Sequence, residues 1–243
     1  MLSSIFNTLL YQPFYNALVF LTAILPGGDV GFAVIALTIV VRFILMPLTH
    51  KQLHTQRKMK LVEGEMSVIK KKYENDKQEQ TKQMMELYKK HGINPFSGFL
   101  LIFIQIPVLL ALYFVFTRGI PFTPDKLYSF INLPPDINFL FLGLINLSTK
   151  NYILAILVGV SQYVQIKLSL PPMAPRESGA TASFGEELGR SMSTNMRYVM
   201  PVMIAVISAS FPSVVALYWL TSNIFAIIHE LIVRRKAKEI IKS

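Results

Sequence analysis

Residues 30–48 read VGFAVIALTIVVRFILMPL, and Arg42 is the only charged residue in that run. As a helix rising about 1.5 Å per residue, the run approaches the roughly 30 Å of a bilayer's hydrocarbon core. An arginine deep in a lipid-spanning helix costs at least about 2.5–3.5 kcal/mol on insertion scales, so it usually faces a polar cavity or a partner. The other apolar segments hold no Asp or Glu to neutralise it, apart from Glu230 near the end of the last. Arg42 therefore either snorkels to an interface or lines a wet space. Lys51 stands nine residues later, about 13 Å along a helix axis, which a long side chain shortens without obviously reaching headgroups.

The rest of the chain has the same character. Of 243 residues, 52% are hydrophobic and only 16% charged, and the mean hydropathy is +0.45. The apolar residues come in long blocks, which marks an all-α polytopic membrane protein rather than a soluble domain. The absence of cysteine excludes disulfides, thiolate chemistry, cysteine-ligated metals and a lipidated cysteine. The opening MLSSIFNTLLYQPFY lacks a basic start and is not expected to be a cleavable signal peptide. A net charge of +10 admits nucleic acid as a partner, but the placement of the charges points to membrane topology instead.

Five transmembrane helices are expected, at 30–48, 94–117, 151–170, 196–211 and 212–233. Asn94 and Pro95 suit a helix start, Pro171 and Pro172 a stop. The run 138–146 is too short to span and is placed at the membrane surface, within a loop at 118–150. Basic residues alternate between loops. None precedes the first span, eleven lie between Lys51 and Lys90, three lie in 118–150, and Lys167, Arg176, Arg190 and Arg197 follow. The tail 234–243 closes with Arg234, Arg235, Lys236, Lys238 and Lys242. Basic loops stay in the cytoplasm, so the N-terminus is expected outside and the C-terminus inside. The fourth span covers only about 24 Å, short enough to favour a thinned bilayer nearby.

Two segments outside the spans have helical patterns. In 1–29, Ser4, Thr8, Tyr11 and Tyr15 recur at helical spacing among apolar residues, which predicts an amphipathic helix on the outer surface. An extra, imperfect span is the alternative. In 49–93, Val62, Met66, Ile69 and Tyr73 form a heptad-like seam, and Met84, Leu87, Tyr88 and His91 resume it after Glu74–Lys77. This reads as a cytoplasmic helical hairpin, too long for a mere connector.

The candidate functional residues are the polar ones inside spans. Thr38 stands one turn before Arg42 and shares its face. Gln105 precedes Pro107, Ser161, Gln162 and Gln165 cluster in the third span, and Tyr218, Trp219, Ser222 and Asn223 in the fifth. Singly, each is commonly an interhelical hydrogen bond. Together, with one arginine and no mid-span carboxylate, they predict a polar, net-positive interior. His50 and His54 have i, i+4 spacing but no acidic neighbour to complete a metal site. No phosphate-binding glycine loop, nucleophile elbow or carboxylate pair is visible, so neither an enzyme nor a cofactor is expected.

Four runs resemble one family, the YidC-type membrane protein insertases with their mitochondrial and chloroplast relatives. They are LTIVVRFILMPLTHKQ (37–52), NPFSGFLLIFIQIPVLLALYFVF (94–116), NYILAILVGVSQYVQIKLS (151–169) and MRYVMPVMIAVISASFPSVVALYWLTSNIFAIIHE (196–230). The resemblance covers nearly the whole chain as the five-span core. It implies a bacterial inner-membrane insertase and chaperone whose groove, open to cytoplasm and lipid and closed to the outside, contains Arg42 with Thr38. Trp219 is similar to the substrate-contacting aromatic of the last span. The implied partners are newly made membrane proteins and the bilayer, with ribosome and Sec translocon as further candidates and no direct nucleic-acid role. Insertion would need no nucleotide, because burying the client's own apolar helix supplies the free energy. A secondary transporter or anion pathway with Arg42 as its binding charge is the competing reading, although no inverted repeat, no broken helix with paired Gly/Pro interruptions and no acidic coupling residue is visible. A scaffold without insertion activity would leave Arg42 unexplained.

Overall fold

The computed structural model describes residues 2–94, 97–118, 122–169, 191 and 193–242. The loop expected at 171–195 falls largely outside them, as do Pro95, Pro171 and Pro172. A long first helix runs through α1 (Leu2–Phe6), a π-helical stretch (Asn7–Tyr11) and α2 (Gln12–Ile24), then turns at Pro26–Gly28 into α3 (Val30–Ile44). Next come α4 (Met46–Leu61), α5 (Glu63–Lys72), α6 (Lys77–Lys90) and α7 (Ser97–Arg118). A two-stranded antiparallel hairpin, β1 (Leu140–Phe141) and β2 (Ile145–Asn146), precedes α8 (Tyr152–Ser169). A second π-helical stretch (Asn195–Val199) leads into α9 (Met200–Ser210), and α10 (Ser213–Lys242) ends the chain.

The run 30–48 is not one helix. It breaks at Leu45, and Met46, Pro47 and Leu48 belong to α4. Pro47 has no N–H to return to Phe43, and its ring crowds that carbonyl, so the helix restarts there. The run expected as a fourth span opens with a π-helical turn that continues without a break into an eleven-residue α9. Among the described residues, Tyr152–Ser169 and Ser213–Arg235 are long and apolar enough to cross a bilayer, while Val30–Ile44 and Ile106–Arg118 are shorter apolar helices.

α10 is the hub, packing on α8, α3, α9 and α7. α2 lies against α3 and α7. Outward-facing side chains are large and apolar: Phe32, Val40 and Phe43 on α3, Ile153, Ile156 and Val160 on α8, Val202 and Val206 on α9, and Ile224 and Ile228 on α10. An apolar belt of this kind suits lipid, not water. In lipid, helices associate through close packing rather than the hydrophobic effect. Gly159 supplies such a contact, because a Cβ there would stand 2.9 Å from Ala205 Cβ and 3.2 Å from the Pro201 carbonyl.

The polar-looking stripe of the first helix divides: Ser4 and Thr8 stay exposed, while Tyr11 and Tyr15 turn inward. Tyr15 is completely buried and Tyr11 half-buried, while Ile5, Leu9, Phe20 and Ile24 are exposed. The Tyr15 hydroxyl accepts from Thr123 N–H at 2.8 Å, and Asn16 accepts from Tyr128 N–H at 2.7 Å while donating to the Lys126 carbonyl at 3.1 Å. Those buried polar groups hold the helix to the segment between α7 and α8.

That segment caps one end of the bundle, where α3, α8 and α10 start and α7 and α9 finish. Asp29 caps α3 by accepting from Gly31 N–H at 2.7 Å, and its other oxygen accepts from Leu142 N–H at 3.2 Å. Val30 N–H donates to Asn138 O and Asn138 N–H to Gly28 O, both at 2.9 Å. At α10, Ser213 N–H donates to Thr149 O at 2.7 Å, Val214 N–H to Leu147 O at 3.2 Å, and Ser213 Oγ–H to Asn146 O at 2.6 Å. Asn151 accepts from Leu154 N–H at 3.0 Å to cap α8. Helix starts leave N–H groups without intrahelical partners; here one loop satisfies those of three helices.

Away from the cap, α5 and α6 fold back on each other around a small core of their own, made by Val62, Leu87, Tyr88 and Ile93 with Met66 and Ile69 beside them. Asp76 caps α6 through Gln78 and Glu79 N–H.

Candidate functional site: a polar seam along the hub helix

Arg42 lies in the last turn of α3 and is half-buried. Its electrostatic neighbour is Tyr218 of α10, which is 2% exposed. Among the described residues, the ion pairs lie within the α5–α6 region and between Glu230 and Arg234, and none includes Arg42. A half-buried guanidinium with five donors and no carboxylate needs water or an anionic visitor. Thr38, one turn earlier, is buried and donates its hydroxyl to Val34 O at 2.6 Å. Its donor is committed to its own helix, leaving only acceptor capacity toward the interior.

The second group of polar residues lies where α8 meets α10. Asn223 is 4% exposed and donates to Ser161 Oγ at 3.0 Å across the two helices. Along α8, Gln162 donates to Gln165 at 3.2 Å, and Gln165 donates to Ser169 Oγ at 3.3 Å. These amides form a half-buried ladder on one helical face, with capacity left over for further hydrogen bonds. Ser222 is completely buried, and its Oγ has no protein partner among the described residues.

α10 thus carries both groups, Tyr218 toward α3 and Asn223 toward α8. Trp219 is half-buried between them and packs against the apolar clusters on both sides. Extended packing between α3 and α8 themselves is absent among the described residues. The side chain of Gln105 lies outside the described residues.

Sequence reasoning set aside or overlooked a third group, further along α10. His229 is 7% exposed, and its ring centroid lies 5.9 Å from that of His50 on α4. Glu230 is 6% exposed, pairs with Arg234 at 2.8 Å, and has no partner for its second oxygen among the described residues. Arg234 also donates to the Leu168 carbonyl, tying α10 to the end of α8. The signal was present in the spacing: Tyr218, Ser222 and His229 follow at steps of four and seven, one helical face. The described residues contain no cluster of three or more His, Cys, Asp or Glu fit to hold a metal.

Among the described residues the arrangement shows no nucleophile–base pair. It offers a positive charge, hydrogen-bonding amides and an aromatic, all beside exposed apolar helix faces.

Comparison with known proteins gives this geometry a family. The profile of the 60Kd inner membrane protein family matches residues 20–240. A membrane protein insertase YidC from Fusobacterium nucleatum is 36% identical over 209 residues, which is 86% of this chain and 88% of that protein. One from Clostridium perfringens is 31% identical over 237 residues, 96% of this chain and 92% of the relative. One from Shewanella halifaxensis is 33% identical over 221 residues, 91% of this chain but 36% of a longer relative.

Proposed function

Because the chain belongs to the 60Kd inner membrane protein family, whose matched members are YidC membrane protein insertases, we propose that it inserts membrane proteins through a groove centred on Arg42. The observation that carries this reading is a half-buried guanidinium, without a carboxylate partner among the described residues, beside Tyr218. The basic α5–α6 hairpin and the Lys/Arg tail support a cytoplasmic far end and an outer capped end. The five expected spans then run N-terminus out, C-terminus in.

An entering segment with a short acidic or polar tail is drawn to Arg42 and partly dehydrated along Tyr218, Trp219, Ser222, Asn223 and the Gln162–Gln165 ladder. It leaves sideways over the apolar faces of α3 and α8. Thr38 and Gln105 complete the lining in this reading. α3 is fifteen residues long, about 22 Å, which favours a thinned bilayer beside it and shortens the polar tail's path. Burying roughly 20 apolar residues releases enough free energy to drive the step without a nucleotide. Its clients are newly made membrane proteins, delivered by a ribosome or shared with a translocon.

The test is insertion of one single-span client bearing an acidic, neutral or basic outer tail, in vesicles containing wild type, Arg42→Lys or Arg42→Ala. Coulomb attraction at about 4 Å is worth about 4 kcal/mol at an effective dielectric of about 20, and about 1 kcal/mol in bulk water. Arg42→Ala should therefore lose acidic-tailed clients most, and Arg42→Lys should retain them in large part. An equal loss for all three tails would leave Arg42 a hydrating or structural residue and overturn charge recruitment.

A further inference from the structure

The hairpin at 140–146 presents an apolar tip for which the folded chain has no use. Phe141 is buried against α3, but Leu140, Leu142 and Leu144 are exposed, Leu144 by 82%. Leu142 and Gly143 both have positive φ, 54° and 70°, and Leu144 N–H donates to Phe141 O at 3.0 Å. Such turns favour Asn, Asp or Gly at the first central position, where a leucine is strained. The strained residue points its apolar side chain away from the protein, and Asp29 accepts from its N–H. A turn that only needed to close would use asparagine.

Three further observations identify what meets this tip. Between Ile137 and Thr149 the sequence INFLFLGLINLST has no charged residue, and Lys150 follows at once. The hairpin stands where the apolar belts begin: Phe141 packs edge-on against exposed Phe32 in the first turn of α3, with centroids 5.4 Å apart. At the other flank, exposed Tyr152 and Ile153 open α8. Apolar residues beside a tyrosine and a lysine, at the rim of a lipid-facing belt, have the composition of a bilayer interface.

We infer that the 140–146 hairpin is an interfacial anchor, inserting Leu142 and Leu144 among the acyl chains of the leaflet at the capped end. The inference rests on the membrane placement above and concerns a contact with lipid, not with clients. It fixes the depth of the bundle through Asp29 and Phe141, the two residues that join hairpin to α3.

The chain has no cysteine, so a nitroxide can be placed at Leu144→Cys alone and its collisions with oxygen and with a water-soluble nickel chelate compared. The full-length protein would be reconstituted in phosphatidylethanolamine–phosphatidylglycerol vesicles. Leu144→Cys should favour oxygen, as should Ile156→Cys in the α8 belt, and both should oppose exposed Glu74→Cys between α5 and α6. Leu142→Asn, which suits the turn, should keep helix content while moving the Leu144 signal toward water. Preference for nickel at Leu144 with oxygen preference at Ile156 would overturn the anchor alone. Nickel preference at both would overturn the membrane placement too. Shielding from both reagents would assign the tip to a protein partner, such as a second copy, and overturn lipid contact.

Discussion

Gly31 sits beneath the ring of Phe141, and a β-carbon at that glycine would overlap the ring. The first turn of α3 and the cap hairpin therefore share a contact that any side chain at position 31 would force apart. Gly31→Val should lower the thermal midpoint in detergent by the equivalent of about 1–3 kcal/mol of overpacking. Phe141→Ala in the same chain should recover part of that loss. No recovery would mean that the valine acts through the helix backbone instead.

Asp29 makes two kinds of contact at once, capping α3 and holding Leu142 N–H. Asp29→Ala should cost about 1 kcal/mol for the cap alone, plus the penalty of a Leu142 amide left unpaired. Asp29→Asn should fall between, because one amide oxygen still accepts but the second position becomes a donor. Thermal unfolding of the three proteins side by side checks the order.

Asn223 and Ser161 make a partly buried hydrogen bond between α10 and α8 at 3.0 Å. In membrane bundles such bonds average only about 0.6 kcal/mol by double-mutant cycle. A cycle of Asn223→Ala and Ser161→Ala should give a coupling of that size, and insertion should fall by more than stability does. A coupling several times larger would make the pair a structural strut rather than part of a client path.

The α5–α6 hairpin has its own apolar core, so deleting 60–89 should leave the bundle's thermal transition in place while impairing insertion. Its stability should also respond to alkali. Burial raises the Tyr88 phenol above the ordinary tyrosine range, so the packed hairpin holds that proton more tightly than the unfolded segment. Stability is therefore complete below about pH 10 and falls as pH rises beyond it. Protease sensitivity of the hairpin across that range should rise in wild type and stay flat in Tyr88→Phe.

Much of this molecule was legible in its sequence because the side chains carry the message. The helical class follows from apolar blocks, and α8 and α10 begin within a residue or two of where Asn151 and Pro212 place them. Arg42 was conspicuous because charge in an apolar run is costly. What was illegible depends on backbone and on distance. Nothing local announces that Val30 and Gly28 pair with Asn138 more than a hundred residues away, since peptide groups look alike in every sequence. The break at Leu45 was signalled by Pro47, yet apolar continuity outweighed it. His50 looks solvated among lysines, and its approach to His229 exists only once α4 meets the middle of α10.

The cap has a mechanical consequence. Hydrogen bonds from one loop pin the starts of α3, α8 and α10 to each other, while the far ends of those helices carry no such clasp from it. Because Arg234 ties α10 to the end of α8, a bundle hinged in this way would open like a clothes-peg between that pair and α3, with displacement growing away from the hinge. In the function proposed above, room for a passenger would then open near Arg42 while the capped end stays shut. Insertion should proceed without letting protons or sodium leak across the vesicle wall. Ser213→Ala, which removes the 2.6 Å clasp to Asn146, should raise that leak before it slows insertion.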